Sequence, residues 1–118
     1  MQKFPRRWDK ITCINYLQRK IILNCIAYYY RNTNGLSDKD YDEISKQLVE
    51  LQKNVDVRLT QYGYIFYDFD GSTGFYLYDR LTEEDKKYMD AITNFVFPKS
   101  NNKHKKKNLV DTISAVYI

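Results

Sequence analysis

The chain predicts an α+β fold: an antiparallel helical hairpin, then a β-hairpin, then a third helix. Three observations predict it. Apolar residues recur at helical spacing over residues 9 to 30 and again over 38 to 53. Aromatic and β-branched residues crowd two short runs, 62 to 69 and 75 to 78, on either side of an Asp-Gly-Ser-Thr-Gly turn composition. A capped, helix-like stretch then follows from Thr82 to about Phe95.

Residues 1 to 8, with Pro5 and the pair Arg6-Arg7, read as irregular. Asp9 suits the N-cap of a first helix running to about Tyr30. Its inward stripe is Ile11, Ile14, Leu17 or neighbouring Gln18, Ile21, Cys25 and Tyr28. Asn34-Gly35 supplies the left-handed residues that end it. Ser37 caps the second helix, with Asp40 as a short capping-box variant and Leu36 and Tyr41 in the hydrophobic-staple positions. That helix extends from Asp38 to about Lys53 and turns Tyr41, Ile44, Leu48 and Leu51 to one side. Two such stripes on helices joined by a short loop pack as an antiparallel hairpin. In the β-hairpin, Tyr62, Tyr64 and Phe66 alternate on one strand face, and Tyr76 and Tyr78 line the partner strand. The third helix is capped by Thr82-Glu83-Glu84-Asp85 and points Tyr88, Ile92 and Phe95 inward.

A length of 118 residues predicts one domain, with its body at residues 1–97, a basic linker at 98–107 and a tail at 108–118. The tail is apolar enough to be ordered, as strand or as helix. The net charge of +4 is concentrated in Lys99, Lys103, Lys105, Lys106 and Lys107; without these five the remainder is −1. That segment reads as a solvated linker or as a non-specific contact to nucleic-acid phosphates. No apolar run reaches the roughly 18 residues that span a membrane, and the longest candidate is broken by Asn24. A cytoplasmic protein without membrane contact is the expectation, and Cys13 and Cys25 agree with it. They lie twelve positions apart on one predicted helix, about 18 Å along its axis, whereas a disulfide needs Cα atoms within about 7 Å. With a single His and no finger spacing, the two do not compose a zinc motif.

Two groups of side chains are candidate binding residues. Asp38, Tyr41 and Asp42 are spaced i, i+3, i+4 and share one helical face. The short interhelical loop brings Tyr28 and Tyr29 close to them. Aromatic faces beside carboxylates favour a flat cation, at about 0.5–2 kcal/mol, and carboxylates accept hydrogen bonds from ribose hydroxyls. The same carboxylates also simply suit a helix start. The second group is the aromatic strand face of Tyr62, Tyr64, Phe66, Tyr76 and Tyr78. Such a face packs as core, contacts a protein or stacks single-stranded bases at about 1–3 kcal/mol each. Asp68, Asp70 and Asp79 on the hairpin favour protein over nucleic acid.

The stretch from residue 28 to 42, Tyr-Tyr-Tyr-Arg-Asn-Thr-Asn-Gly-Leu-Ser-Asp-Lys-Asp-Tyr-Asp, resembles the N-terminal Ia domain of NAD-dependent bacterial DNA ligases. There a Tyr-Tyr pair is followed by a short loop and Ser-Asp-x-Glu-Tyr-Asp. The likeness covers roughly residues 11 to 53. Asp40 stands where the family has Glu, and Asn34-Gly35 where many members have Pro. The resemblance implies that Tyr28, Tyr29, Asp38, Tyr41 and Asp42 occupy positions that contact the nicotinamide mononucleotide half of NAD. The Lys-x-Asp-Gly motif of the ligases' nucleotidyltransferase domain is missing, since Asp68 stands where its lysine would be, so ligase activity is not expected. Residues 65 to 73 also resemble the first motif of haloacid-dehalogenase-type phosphatases. Only 45 residues follow Thr73, too few for the parallel sheet that chemistry needs, and an Asp-Gly turn is the preferred reading.

No nucleophile–base pair or metal cluster is apparent, so a non-enzyme that requires no cofactor is expected. Short free-standing relatives of the Ia domain occur in phage and prophage genomes. The resemblance therefore implies a phage-derived accessory protein that binds and modulates a bacterial host protein, such as a defence nuclease or a ligase. The alternative is a small nucleotide-binding module that keeps a weak site for nicotinamide mononucleotide or NAD.

Overall fold

Asp9 starts the first helix as its side chain suggests: its Oδ1 accepts the N–H of Thr12 at 2.8 Å. In the computed structural model, which describes residues 2–30 and 35–96, α1 spans Lys10–Cys25 and runs on into a π-helical turn at Ile26–Tyr30. Ser37 Oγ accepts the N–H of Asp40 at 3.1 Å and opens α2, Asp38–Gln52. The two helices run antiparallel. Asn24, late in α1, accepts the N–H of Leu36 just before α2, while Gln18, earlier in α1, meets Gln52 at the end of α2. Of the expected left-handed pair, Gly35 does not take a positive φ, while Asn34, the predicted linker at 98–107 and the tail at 108–118 lie outside the described residues.

The β-hairpin is not there. Among the described residues there is no strand. In its place stand a 3-10 turn at Val57–Leu59 and two short helices, α3 at Gly63–Phe66 and α4 at Leu77–Arg80. The α+β expectation is therefore corrected to helices throughout the described chain. Burial gives the reason. Tyr62, Ile65, Phe66 and Phe69 are the buried apolar side chains of this run, spaced i, i+3, i+4, i+7, which is one face of a helix rather than every second residue of a strand. Leu77 and Leu81 repeat the i, i+4 spacing. The last described helix, α5, spans Glu83–Val96, with Thr82 Oγ accepting the N–H of Asp85. It buries Met89, Ile92, Thr93 and Val96, so the expected inward positions of Tyr88 and Phe95 are displaced by one residue and both rings are exposed.

α1 sits at the centre, in contact with α2, α4 and α5, and Ile14, Leu17, Ile21, Ile22 and Leu23 on it are fully buried. Such a helix is covered on more than one side, which explains an apolar run too broad for a single stripe. The N-terminal segment covers part of it, with Phe4 and Trp8 set edge-on to Tyr16. Lys20 is drawn under this cover and donates from Nζ to Gln2 Oε1 at 2.7 Å; burial pulls its pKa below that of an ordinary lysine.

Gln18 lies in the middle of the core, with none of its surface exposed. Its amide joins three elements. Nε2 donates to Gln52 Oε1 and to Thr60 Oγ1, and Oε1 accepts the N–H of Tyr62.

Candidate functional site

The cap at Ser37 and the turn of α2 set Asp38, Lys39, Tyr41 and Asp42 along one wall of an open cleft of about 510 Å³. Gly71, Ser72 and Thr73 form the other wall. The second wall is shaped by Asp70, whose Oδ1 accepts both the N–H and the hydroxyl of Ser72. Gly71 takes φ 90° there, a left-handed backbone that glycine adopts without strain. Tyr41 fastens the two walls by donating its hydroxyl to the Ser72 carbonyl at 2.9 Å. Burial, with Cys25 close by, pushes the Tyr41 hydroxyl well above its ordinary pKa, so it stays a donor at any physiological pH.

The predicted residues are only partly gathered. Asp38, Tyr41 and Asp42 share the cleft, and both carboxylates are exposed. Tyr29 reaches its rim through a 3.1 Å hydrogen bond between its hydroxyl and Thr73 Oγ1. Tyr28 does not line the cleft. It sets its ring edge-on against Tyr29, centroids 4.8 Å apart, and is 62% exposed rather than turned inward. The π turn accounts for this: wider than an α turn, it rotates the residues that follow out of the α1 register. Asp42 pairs with Lys46 at 3.2 Å, and Asp38 has no ion-pair partner among the described residues.

The second predicted group does not form a face. Tyr62 and Phe66 are in the core. Tyr64 is exposed, donates to Asp85 and accepts the N–H of Thr82. Tyr76 lies 4.4 Å from the Arg80 guanidinium. Tyr78 rests against Tyr30, with centroids 4.8 Å apart, and donates to Asp90; burial and then the Asp90 carboxylate raise its hydroxyl to about 12. The phosphatase-like Asp68 and Asp70 are likewise engaged, with Arg80 at 2.7 Å and with Ser72. Among the described residues no group of three or more His, Cys, Asp or Glu side chains is placed to hold a metal.

Sequence reasoning missed the exposed rings of Tyr30, Phe75 and Tyr67. Tyr30 contacts Tyr78 and donates to Asp79 at 3.3 Å, Phe75 packs edge-on against Tyr76, and Tyr67 lies 4.8 Å from the Arg80 guanidinium. A signal was available in the Tyr28-Tyr29-Tyr30 run, because three consecutive helical residues sweep about 200° and cannot all face one core.

Hydrogen bonds from Arg80 and from Ser72 hold Asp68 and Asp70 below the ordinary carboxylate value of 3.8. A depressed folded-state pKa stabilises above the unfolded value and loses that stabilisation as pH falls through the folded value. The unfolding midpoint temperature should therefore drop as pH is lowered from about 4 toward about 2. Asp68→Asn should start lower at neutral pH and show a shallower drop. A calorimetric scan series in which the variant and parent curves stay parallel would refute this.

Comparison with known protein families, curated proteins and solved structures finds no match to the chain. The likeness to the ligase Ia domain therefore rests on the residues quoted above. No helix among the described residues is long and apolar enough to cross a membrane.

Proposed function

We propose that this chain is a non-catalytic binding module whose partner is another protein, bound through the aromatic surface at the end of α1. The observation that carries the proposal is the exposure of the rings that end α1, Tyr28 at 62%, Tyr29 at 46% and Tyr30 at 49%, with Phe75 at 57% two residues beyond Thr73, which Tyr29 bonds. Tyr supplies large contact area at low conformational cost and is concentrated at the centres of protein interfaces. The surface differs from the predicted strand face but serves the same role. The resemblance to phage-borne Ia-like proteins supports a phage origin and a bacterial host target, such as a defence nuclease or a ligase.

The test is paired capture from a bacterial lysate with the parent and with the double variant Tyr30→Ser, Phe75→Ser, followed by reconstitution with the purified captured protein. The expected result is a host protein that binds the parent and loses at least about tenfold in affinity with the double variant, or about 1.4 kcal/mol, while the unfolding midpoint is unchanged. Equal affinity for both proteins would rule this surface out.

A second reading, a weak nucleotide site, is favoured by the cleft that gathers Asp38, Tyr41 and Asp42 with Tyr29 at its rim. Its carboxylates are acceptors suited to ribose hydroxyls, and nothing among the described residues anchors the other half of NAD. A half-site loses the advantage of a tethered second contact. Titration calorimetry with nicotinamide mononucleotide should give a dissociation constant no tighter than about 0.1 mM, near −5.5 kcal/mol. Micromolar binding abolished by Asp38→Ala would make the nucleotide reading the better one.

A further inference from the structure

We infer that the protein partner meets the aromatic surface with arginine side chains. This rests on the protein-binding reading above and specifies its chemistry.

Charge is divided along the chain. Residues 2–30 carry six basic side chains and one acidic, whereas residues 35–96 carry thirteen acidic and seven basic. The exposed rings of the π turn lean on the acidic part. Tyr30 donates to Asp79, Tyr29 reaches Thr73 beside the cleft that holds Asp38 and Asp42, and Asp70 sits behind Ser72. Among the described residues, Arg80 pairs with Asp68, Lys46 with Asp42 and Lys86 with Glu83, while Lys39 lines the cleft beside Asp38 without an ion pair. Beside Tyr30 and Tyr78 the described surface therefore offers aromatic faces with the Asp79 and Asp90 carboxylates.

The molecule uses the same combination internally. The Arg80 guanidinium stands 4.8 Å from the Tyr67 ring and 4.4 Å from the Tyr76 ring, with Asp68 at 2.7 Å. Ring plus carboxylate holds a planar cation there. Tyr30 with Asp79 presents that pairing outward. Guanidinium is preferred over ammonium because it is planar, less strongly hydrated and able to stack. A nucleic acid is disfavoured on this surface, because its phosphates would face carboxylates.

The experiment uses a fluorescein-labelled (Arg-Gly)4 peptide as the probe, with (Glu-Gly)4 as its control, followed by anisotropy at low salt. The arginine peptide should bind and the glutamate peptide should not. Asp79→Asn and the charge-neutral Tyr30→Ser should each weaken binding by about two- to fivefold, and Arg6→Gln should leave it unchanged. Binding indifferent to Tyr30→Ser would show bulk charge attraction only and overturn the inference. If the arginine peptide fails to bind while the captured host protein still depends on Tyr30 and Phe75, the protein-binding reading stands and the arginine inference falls. Should sedimentation show a dimer that Asp79→Asn dissociates, the face is an interface between copies of this chain, and the inference is overturned in favour of that.

Discussion

Gly63→Ala should cost about 3 kcal/mol in urea unfolding, the upper end for overpacking a well-filled site. The added Cβ would lie 1.8 Å from the Val57 carbonyl oxygen and 2.9 Å from Thr60 Oγ1. The first of these is backbone, so no rotamer change relieves the clash. The close approach is built by the 3-10 turn at Val57–Leu59, whose Val57 carbonyl also accepts the Thr60 hydroxyl at 2.6 Å, while Gly63 donates its N–H to the Thr60 carbonyl. To admit a methyl group, α3 must shift away, and Tyr62, Ile65 and Phe66 move with it out of the core. Tyr64→Ala, on the exposed side of the same helix, is the contrasting variant and should cost far less. An unfolding midpoint for Gly63→Ala equal to that of the parent would disprove the close approach.

The parts of the fold that were legible are those governed by local chemistry. Asp9 and Ser37 bond the N–H three residues on, as N-caps do, and α1 and α2 begin where those caps stand. The aromatic run at 62 to 69 was misread because its composition is that of a strand while its burial has helical spacing. Tyr62-Gly-Tyr-Ile-Phe-Tyr contains so many large apolar side chains that periods of 2 and 3.6 both find matches. Ile65 and Phe69, which strict alternation assigns to the opposite face from Tyr62 and Phe66, settle the period, because all four are buried together. Runs this short take their structure from what they pack against, here the 3-10 turn and α4, with Gln18 of α1, distant in sequence, holding the Tyr62 N–H.

The cleft was half legible for a related reason. Asp38, Tyr41 and Asp42 lie on one face because a helix places them there, and the sequence suffices for that. The facing wall, Gly71 to Thr73, comes from a turn that was expected to join two strands, so its position against α2 could not be read. The outward rotation of Tyr28 depends on the π turn at Ile26–Tyr30, and residues 26 to 30 carry no Pro or Gly that would announce a change of helix type.

Gln18→Leu, close in volume, should lower stability by about 3–4 kcal/mol, more than its gain in apolar character would suggest. The leucine leaves the Tyr62 N–H without its acceptor at 3.0 Å and removes both donors to Gln52 and Thr60, at 3.0 Å and 2.9 Å. Each buried polar group stranded in this way costs about 1–3 kcal/mol, and Thr60 escapes part of that because its hydroxyl keeps the Val57 carbonyl. Gln18→Glu separates the hydrogen-bonding loss from packing, because it keeps shape and the acceptor for Tyr62. At neutral pH it buries a carboxylate facing the Gln52 carbonyl oxygen, and burial raises the folded-state pKa of that carboxylate above its unfolded value of about 4.3. A raised folded pKa means stability that is present below the unfolded value and is lost as pH rises through the folded one. The deficit of Gln18→Glu against the parent should therefore be large at about pH 7.5 and shrink toward about pH 4.5, where the protonated acid again donates one hydrogen bond. The deficit of Gln18→Leu should not vary with pH. Urea titrations of all three proteins at both pH values decide the matter. A pH-independent deficit for Gln18→Glu would mean that the site admits water, and that the amide does not hold α1, α2 and α3 together in the way its contacts indicate.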